Sequence, residues 1–185
     1  MTSAKNAARV FEYLSLQSEG LPIEKTSLNK LLYFAQGHAL SELGHELFPN
    51  QIDAWDHGPV VAVVYTGYDK IVESAEREGI SDVQMAPEEL EIIMDVWNKY
   101  KGYSAKSLVD MTHEAGTPWA ATYEPGVKNI HIPVDLIQEY FLRPENRLER
   151  IMDGVKELPT VDALPADEYD PKEDSVWEAL LNDAE

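Results

Sequence analysis

Residues 28–65 read LNKLLYFAQGHALSELGHELFPNQIDAWDHGPVVAVVY, and this stretch decides the fold. Leu28, Leu31, Leu32, Ala35, Ala39 and Leu43 fall close to an i, i+3, i+4, i+7 pattern, which lines one face of a helix. Tyr33, Phe34, Leu40 and Leu47 widen that stripe until little of the helix is left for water. A helix apolar on most sides belongs in the middle of a bundle. Thr26 or Ser27 is placed to cap its start and Gly44 to close it. Pro49-Asn50 then turns the chain, and Gln51–Trp55 runs extended. In His57-Gly58-Pro59 the proline suits the first position of a helix, where its missing N–H costs nothing. That expectation makes VVAVVY helical as far as Glu78, despite the strand preference of β-branched residues.

The flanks supply further helices. Ser3 or Thr2 caps a helix over Ala4–Gln17 with Ala7, Val10, Phe11 and Leu14 on one face, and Gly20 and Pro22 end it. Beyond a break at Gly79, Pro87 opens a helix carrying Leu90, Ile93, Met94 and Trp97, with Glu88 and Glu89 at the positive end of its dipole. Ser104 caps a short helix through Met111, Pro118-Trp119 starts a turn of helix, and Ile130–Ile132 alternates as a brief strand able to pair with Gln51–Trp55. Leu136, Ile137, Tyr140 and Phe141 mark another helix, and Glu145–Leu158 one more. The fold class is mainly α: a compact helical domain over 1–143 with a small two- or three-stranded β element, then an acidic C-terminal tail.

That tail, 144–185, carries 13 acidic and four basic residues. Val161–Lys172 combines prolines with carboxylates and little apolar surface, a composition that stays extended or unfolded. Past it, Val176, Trp177, Leu180 and Leu181 share one face of a short helix. A helix of that length is marginal alone in water. It docks either in a partner's groove or back on its own domain.

Charge narrows the function. The 185 residues include 15 Lys+Arg against 34 Asp+Glu, a formal net charge of −19. Nucleic-acid binding draws on basic side chains that neutralise phosphates, so no nucleic acid is expected as a partner. An acidic surface steers a basic protein instead. With no cysteine there is no disulfide, thiolate metal site or cysteine nucleophile. No signal peptide and no membrane-spanning run is read, so the expected location is the cytoplasm.

The histidines raise the question of an enzyme. Glu42 with His45, and Asp110 with His113, have the Glu-x-x-His type of spacing used in carboxylate-bridged metal sites. Gly44 interrupts the first pair, and a di-metal site needs two more carboxylates, so neither a metal nor any other cofactor is expected. His57 and His113 have two readings. In one they line a pocket with Trp55 and Trp119. In the other, which is the expected one, each imidazole bonds a backbone carbonyl and fixes a turn. Tyr33, Phe34, Trp55, Tyr65, Trp97 and Trp119 read as core. No phosphate loop, nucleophile elbow or His-Glu-x-x-His run is present, so catalysis is not expected.

Three blocks add a resemblance. KLLYFAQGHAL (Lys30–Leu40) with ELF and IDAWDHGPVV (Ile52–Val61), then LVDMTHEAGTPW (Leu108–Trp119), then IPVDLIQEYF (Ile132–Phe141), resemble the Panacea domain. That family groups SocA-like antitoxins with phage-associated GepA-like proteins. The matching motif positions are Lys30, Tyr33, Gln36, Trp55, His57, Gly58, Pro59, Thr112, His113, Pro118 and Trp119. The resemblance implies an antitoxin that neutralises a cognate toxin by direct binding, and some members act as adaptors to a protease. No basic helix-turn-helix precedes the blocks, so DNA-binding autoregulation is not expected. The alternatives are a phage-associated interaction protein acting on a host target, and a metal-dependent enzyme built on His57, His113 or Glu42–His45. Within the tail, Val176, Trp177, Leu180 and Leu181 are the expected partner-binding residues.

Overall fold

In the computed structural model, which describes residues 1–127 and 129–148, every position from Leu28 to Leu40 is buried. The helix that holds them, α2 (Lys25–Glu42), touches nearly everything else. Around it lie α1 (Ala4–Glu19), α3 (Ala62–Glu78), α4 (Pro87–Tyr100), α5 (Ala105–His113) and α7 (Val134–Leu142). A short α6 (Pro118–Thr122) leans on α5 and α7. The chain is therefore mainly helical, with a two-stranded antiparallel sheet as its β element.

The packing follows from side-chain size. Ala4, Ala7 and Ala8 are fully buried on α1, and such small residues let α3 approach closely. Gly37 does the same for α7. A Cβ there would overlap the Phe141 ring, which lies in the notch between the α2 turns. Phe34 stacks on Tyr100 of α4 at 4.3 Å, and Tyr33 meets Phe141 edge-on at 5.6 Å. Arg9 ties α1 to the loop after α3, donating to Gly79 O at 2.6 Å and pairing with Asp82 at 2.7 Å.

Several boundaries match expectation: Ser3 Oγ accepts from Asn6 N, Ser104 Oγ accepts from Ser107 N, Pro87 opens α4, and α3 ends at Glu78. Other positions differ for identifiable reasons. Helix α2 starts at Lys25 with no side-chain cap, one residue before Thr26, because the preceding loop is already held. Ile23 N donates to Glu12 Oε2 at 2.9 Å, and the Tyr68 hydroxyl donates to Ile23 O at 2.5 Å. Pro59 is not a helix start. It sits in β2 (Gly58–Val60), which pairs with β1 (Asp53–Trp55) across the Asp56-His57 turn, and α3 begins at Ala62.

The reason is that α2 side chains take over the backbone groups a helix would have used. Lys30 Nζ donates to Pro59 O at 2.9 Å, and Asn29 Oδ1 accepts from Val61 N at 2.9 Å. The expected pairing of 130–132 with 51–55 is present as one bridge rather than a strand. Ala54 N donates to Ile130 O and Ile132 N to Ile52 O, both at 2.8 Å. Asn129, at φ 59, and Pro133 confine the contact to that bridge.

The helix expected from Glu145 does not begin there. Pro144–Asn146 is a single 3₁₀ turn, Asn146 Nδ2 donates back to Tyr140 O at 2.8 Å, and Leu148 enters the core. Residues 149–158 of that expected helix, and Val176, Trp177, Leu180 and Leu181, lie outside the described residues.

Candidate binding cleft beside the hairpin

A cleft of about 530 Å³ opens between the hairpin, the first turns of α2, the start of α3 and the loop after α6. Its walls are mostly apolar. Trp55 and Tyr65 meet edge-on at 5.1 Å, and Val60 and Val127 add aliphatic surface. Both rings were expected in the core. Trp55 is half-buried and Tyr65 exposed, because the hairpin turns the one and the first turn of α3 carries the other toward the cleft.

Lys30 lies in the lining with no surface of its own exposed. Burial pushes its amine down to about 7, since a charge is poorly solvated there. Gly58 makes room for it. At φ 96 the residue is in the left-handed region, and a Cβ would sit 2.8 Å from Lys30 Cε and 2.7 Å from Thr112 Oγ1.

Behind the hairpin, Trp119 Nε1 donates to Trp55 O at 2.9 Å, fixing α6 against β1. His113, Trp119 and Tyr123 form a stack, with the imidazole 3.7 Å from Trp119 and nearly parallel to it. Tyr123 donates its hydroxyl proton to Asp56 Oδ1 at 2.9 Å, which closes the ladder onto the hairpin turn. Thr117 caps α6 through Ala120 N and donates to Thr112 O, so the Thr112–Trp119 block is tied together by backbone and hydroxyl groups.

The expectation for the two histidines is corrected. Neither imidazole bonds a backbone carbonyl among the described residues. His57 is exposed on the hairpin turn and lines the cleft beside Trp55. His113 is held by its stack on Trp119, and its Nε2 is buried without a hydrogen-bond partner. Burial, then the nearby Lys30, lowers its proton affinity. His113 and Trp119 stand behind the hairpin, not in the cleft lining.

Gln36 and Tyr33 lie elsewhere on α2. Gln36 Oε1 accepts from Leu47 N and Phe48 N, while Nε2 donates to Glu46 and to Phe48 O. This amide anchors the segment that leads into β1. Tyr33 is core. Glu42 and His45 do not assemble a metal site. His45 Nδ1 pairs with Glu46 O, and no three His, Cys, Asp or Glu side chains converge for a metal among the described residues. Asn29, Val127 and Asn129 also belong to the site and were not singled out from the sequence, and Tyr65 was read as core. Asn29 had a readable signal, a polar side chain on a helix face otherwise committed to the core.

A family model for the SocA-like antitoxin, Panacea domain, matches residues 28–120, half of the chain. The chain belongs to the SocA-like Panacea family. The matched span holds most of α2, the hairpin, α3 to α5 and the start of α6, and it supplies most of the cleft lining, with Thr26 and the loop of Gly126, Val127 and Asn129 outside it. The chain is also similar to "Antitoxin SocA" of Caulobacter vibrioides (strain NA1000 / CB15N), 33% identical over 111 residues. That match covers 54% of this chain and 59% of the relative, less than two thirds of the SocA length. No solved structure matches. Among the described residues, no helix is long and apolar enough to cross a membrane.

Proposed function

We propose that this Panacea-family chain is an antitoxin that neutralises a cognate toxin by direct protein–protein binding in the cytoplasm, without catalysis of its own. The observation that carries the reading is the family match over 28–120, joined by likeness to a protein named Antitoxin SocA. The use of polar groups around the hairpin is consistent with a binding role. Asn29, Thr117 and the Trp119 indole each hold backbone, which gives a shaped surface rather than an exposed reactive set. The net charge of −19 favours a basic toxin, whose encounter it would accelerate.

The tail supplies the proposed anchor. Val176, Trp177, Leu180 and Leu181 follow an acidic segment, the pattern of a stretch that folds on its partner. Adaptor delivery of the toxin to a protease is compatible with the same binding. The test is co-expression with the adjacent open reading frame. If that frame arrests growth alone, restored growth on co-expression and recovery of the two proteins as one complex are expected. Growth arrest that persists beside well-expressed, folded protein would overturn the reading.

A further inference from the structure

Lys30 has more donor capacity than the hairpin uses. Its Nζ reaches Pro59 O at 2.9 Å, the one acceptor it bonds among the described residues, while a lysine nitrogen has at least two hydrogens and three when charged. Pinning a strand calls for one donor, and Asn29 on the same helix already holds the next backbone group with a short neutral amide. A buried amine instead costs stability whenever it is charged. No carboxylate pairs with it among the described residues, and burial alone lowers its proton affinity. Asp56, the carboxylate of the cleft lining, accepts a hydrogen bond from the Tyr123 hydroxyl instead. Two further basic side chains stand at the cleft: Lys25 at the start of α2, its Nζ 4.9 Å from the Tyr65 ring centre, and His57 on the turn. Lys30 is thus a donor with spare hydrogens and no ion-pair partner among the described residues, in the lining of an apolar cleft.

We propose that the cleft binds an apolar carboxylate, its aromatic or branched body against Trp55, Tyr65 and Val60 and its carboxylate drawing Lys30 Nζ, fully buried in the free chain, into hydrogen bonds. About 530 Å³ is within the range of small-ligand sites, and an apolar wall with a few convergent polar groups is their usual composition. The same chemistry is offered by a free organic acid and by the C-terminal residue of a peptide. The site stands independently of the antitoxin reading, and its ligand is bound without a toxin present.

Carboxylate binding needs the proton on Lys30. With that amine pushed down to about 7, affinity is level below neutrality and falls as the pH rises above it. Burial and the nearby Lys30 lower the proton affinity of His113 as well. The probes are 3-phenylpropionate, its amide, and a Gly-Gly-Leu-Phe peptide with a free or an amidated C-terminus. Each is titrated into the full chain by calorimetry and by quenching of tryptophan fluorescence, near pH 6 and near pH 9.

The free acids are expected to bind at least about tenfold more tightly than the amides at the lower pH, since an ion-assisted hydrogen bond is worth roughly one decade or more. That advantage shrinks at the higher pH and is absent in Lys30→Met. Whichever acid binds more tightly identifies the source as metabolite-like or peptide-like. Equal binding of acid and amide, or no binding of any probe, overturns the proposal. Should Lys30→Met fail to fold, the pH dependence in the native chain decides, read again in His57→Ala. A window that vanishes in His57→Ala assigns the proton to His57 and overturns the role of Lys30.

Discussion

Gln36 holds two buried backbone donors with one oxygen, so its loss is felt twice. In Gln36→Leu the Leu47 and Phe48 N–H groups lose their acceptor, and each buried orphan costs about 1–3 kcal/mol. Urea unfolding of the variant reads that loss directly. Glu12 gives a pH signature instead. Burial, opposed by its bond from Ile23 N, pushes its carboxyl up to about 7, so the folded chain holds that proton more tightly than the unfolded chain. Its contribution is complete below pH 4.5 and is lost as the pH rises to about 7. Across that window the native protein should lose stability relative to Glu12→Gln, by on the order of 3 kcal/mol at the upper end. Parallel pH–stability curves for the two proteins would refute the assignment. Lys30 has the opposite sign: its amine is lowered, so stability recovers from about pH 7 upward, and Lys30→Met removes that rise.

The hairpin shows where elements are decided by partners rather than by their own residues. Gly58→Ala is expected to cost about 1–3 kcal/mol, from a left-handed backbone and from the crowding of Thr112 and Lys30. Asn29→Leu leaves Val61 N–H without its acceptor, and amide exchange at Val61 should quicken well before global unfolding. These contacts also explain what was legible beforehand. The 3.6-residue stripe of α2, the Ser3 and Ser104 caps and the Pro87 start are local signals, and each is found where its spacing places it. Pro59 misled because its local preference fits a helix start equally well, while Lys30, 29 residues before Pro59, and Asn29, 32 residues before Val61, decide for a strand. For the cleft, His57 and Trp55 were visible as a motif, but their grouping with Tyr65 and Val127 depends on a turn geometry that no periodicity encodes. For His113 the bond expected from the turn argument is replaced by stacking, which needs Trp119 brought in by its indole bond to β1, while His57 stands exposed on the turn.

At the scale of the whole molecule, α2 makes burial collective. Leu32 is fully buried, and Leu32→Ala should cost about 2–5 kcal/mol in urea unfolding. A loss near zero would contradict its place in the core. The proposed tail anchor is tested on a chain ending after Leu158, compared with the full chain at two ionic strengths. Trp177→Ala should weaken toxin binding by roughly 2 kcal/mol or more, and association should slow with salt. Equal affinity and equal rate for the shortened chain would place recognition on the helical body alone.

The notch at Gly37 also has a consequence for how this protein is made. Phe141, which fills it, is added to the chain 104 residues after Gly37. At bacterial-type elongation rates that delay is roughly 5–20 s. During it the central helix waits with its aromatic flank uncovered, so a nascent chain is open to proteases and chaperones until its seventh helix arrives. A stop codon anywhere before Phe141 therefore leaves a fragment whose middle cannot be sealed, and the supply of folded protein in a cell is set by chains translated past it alone.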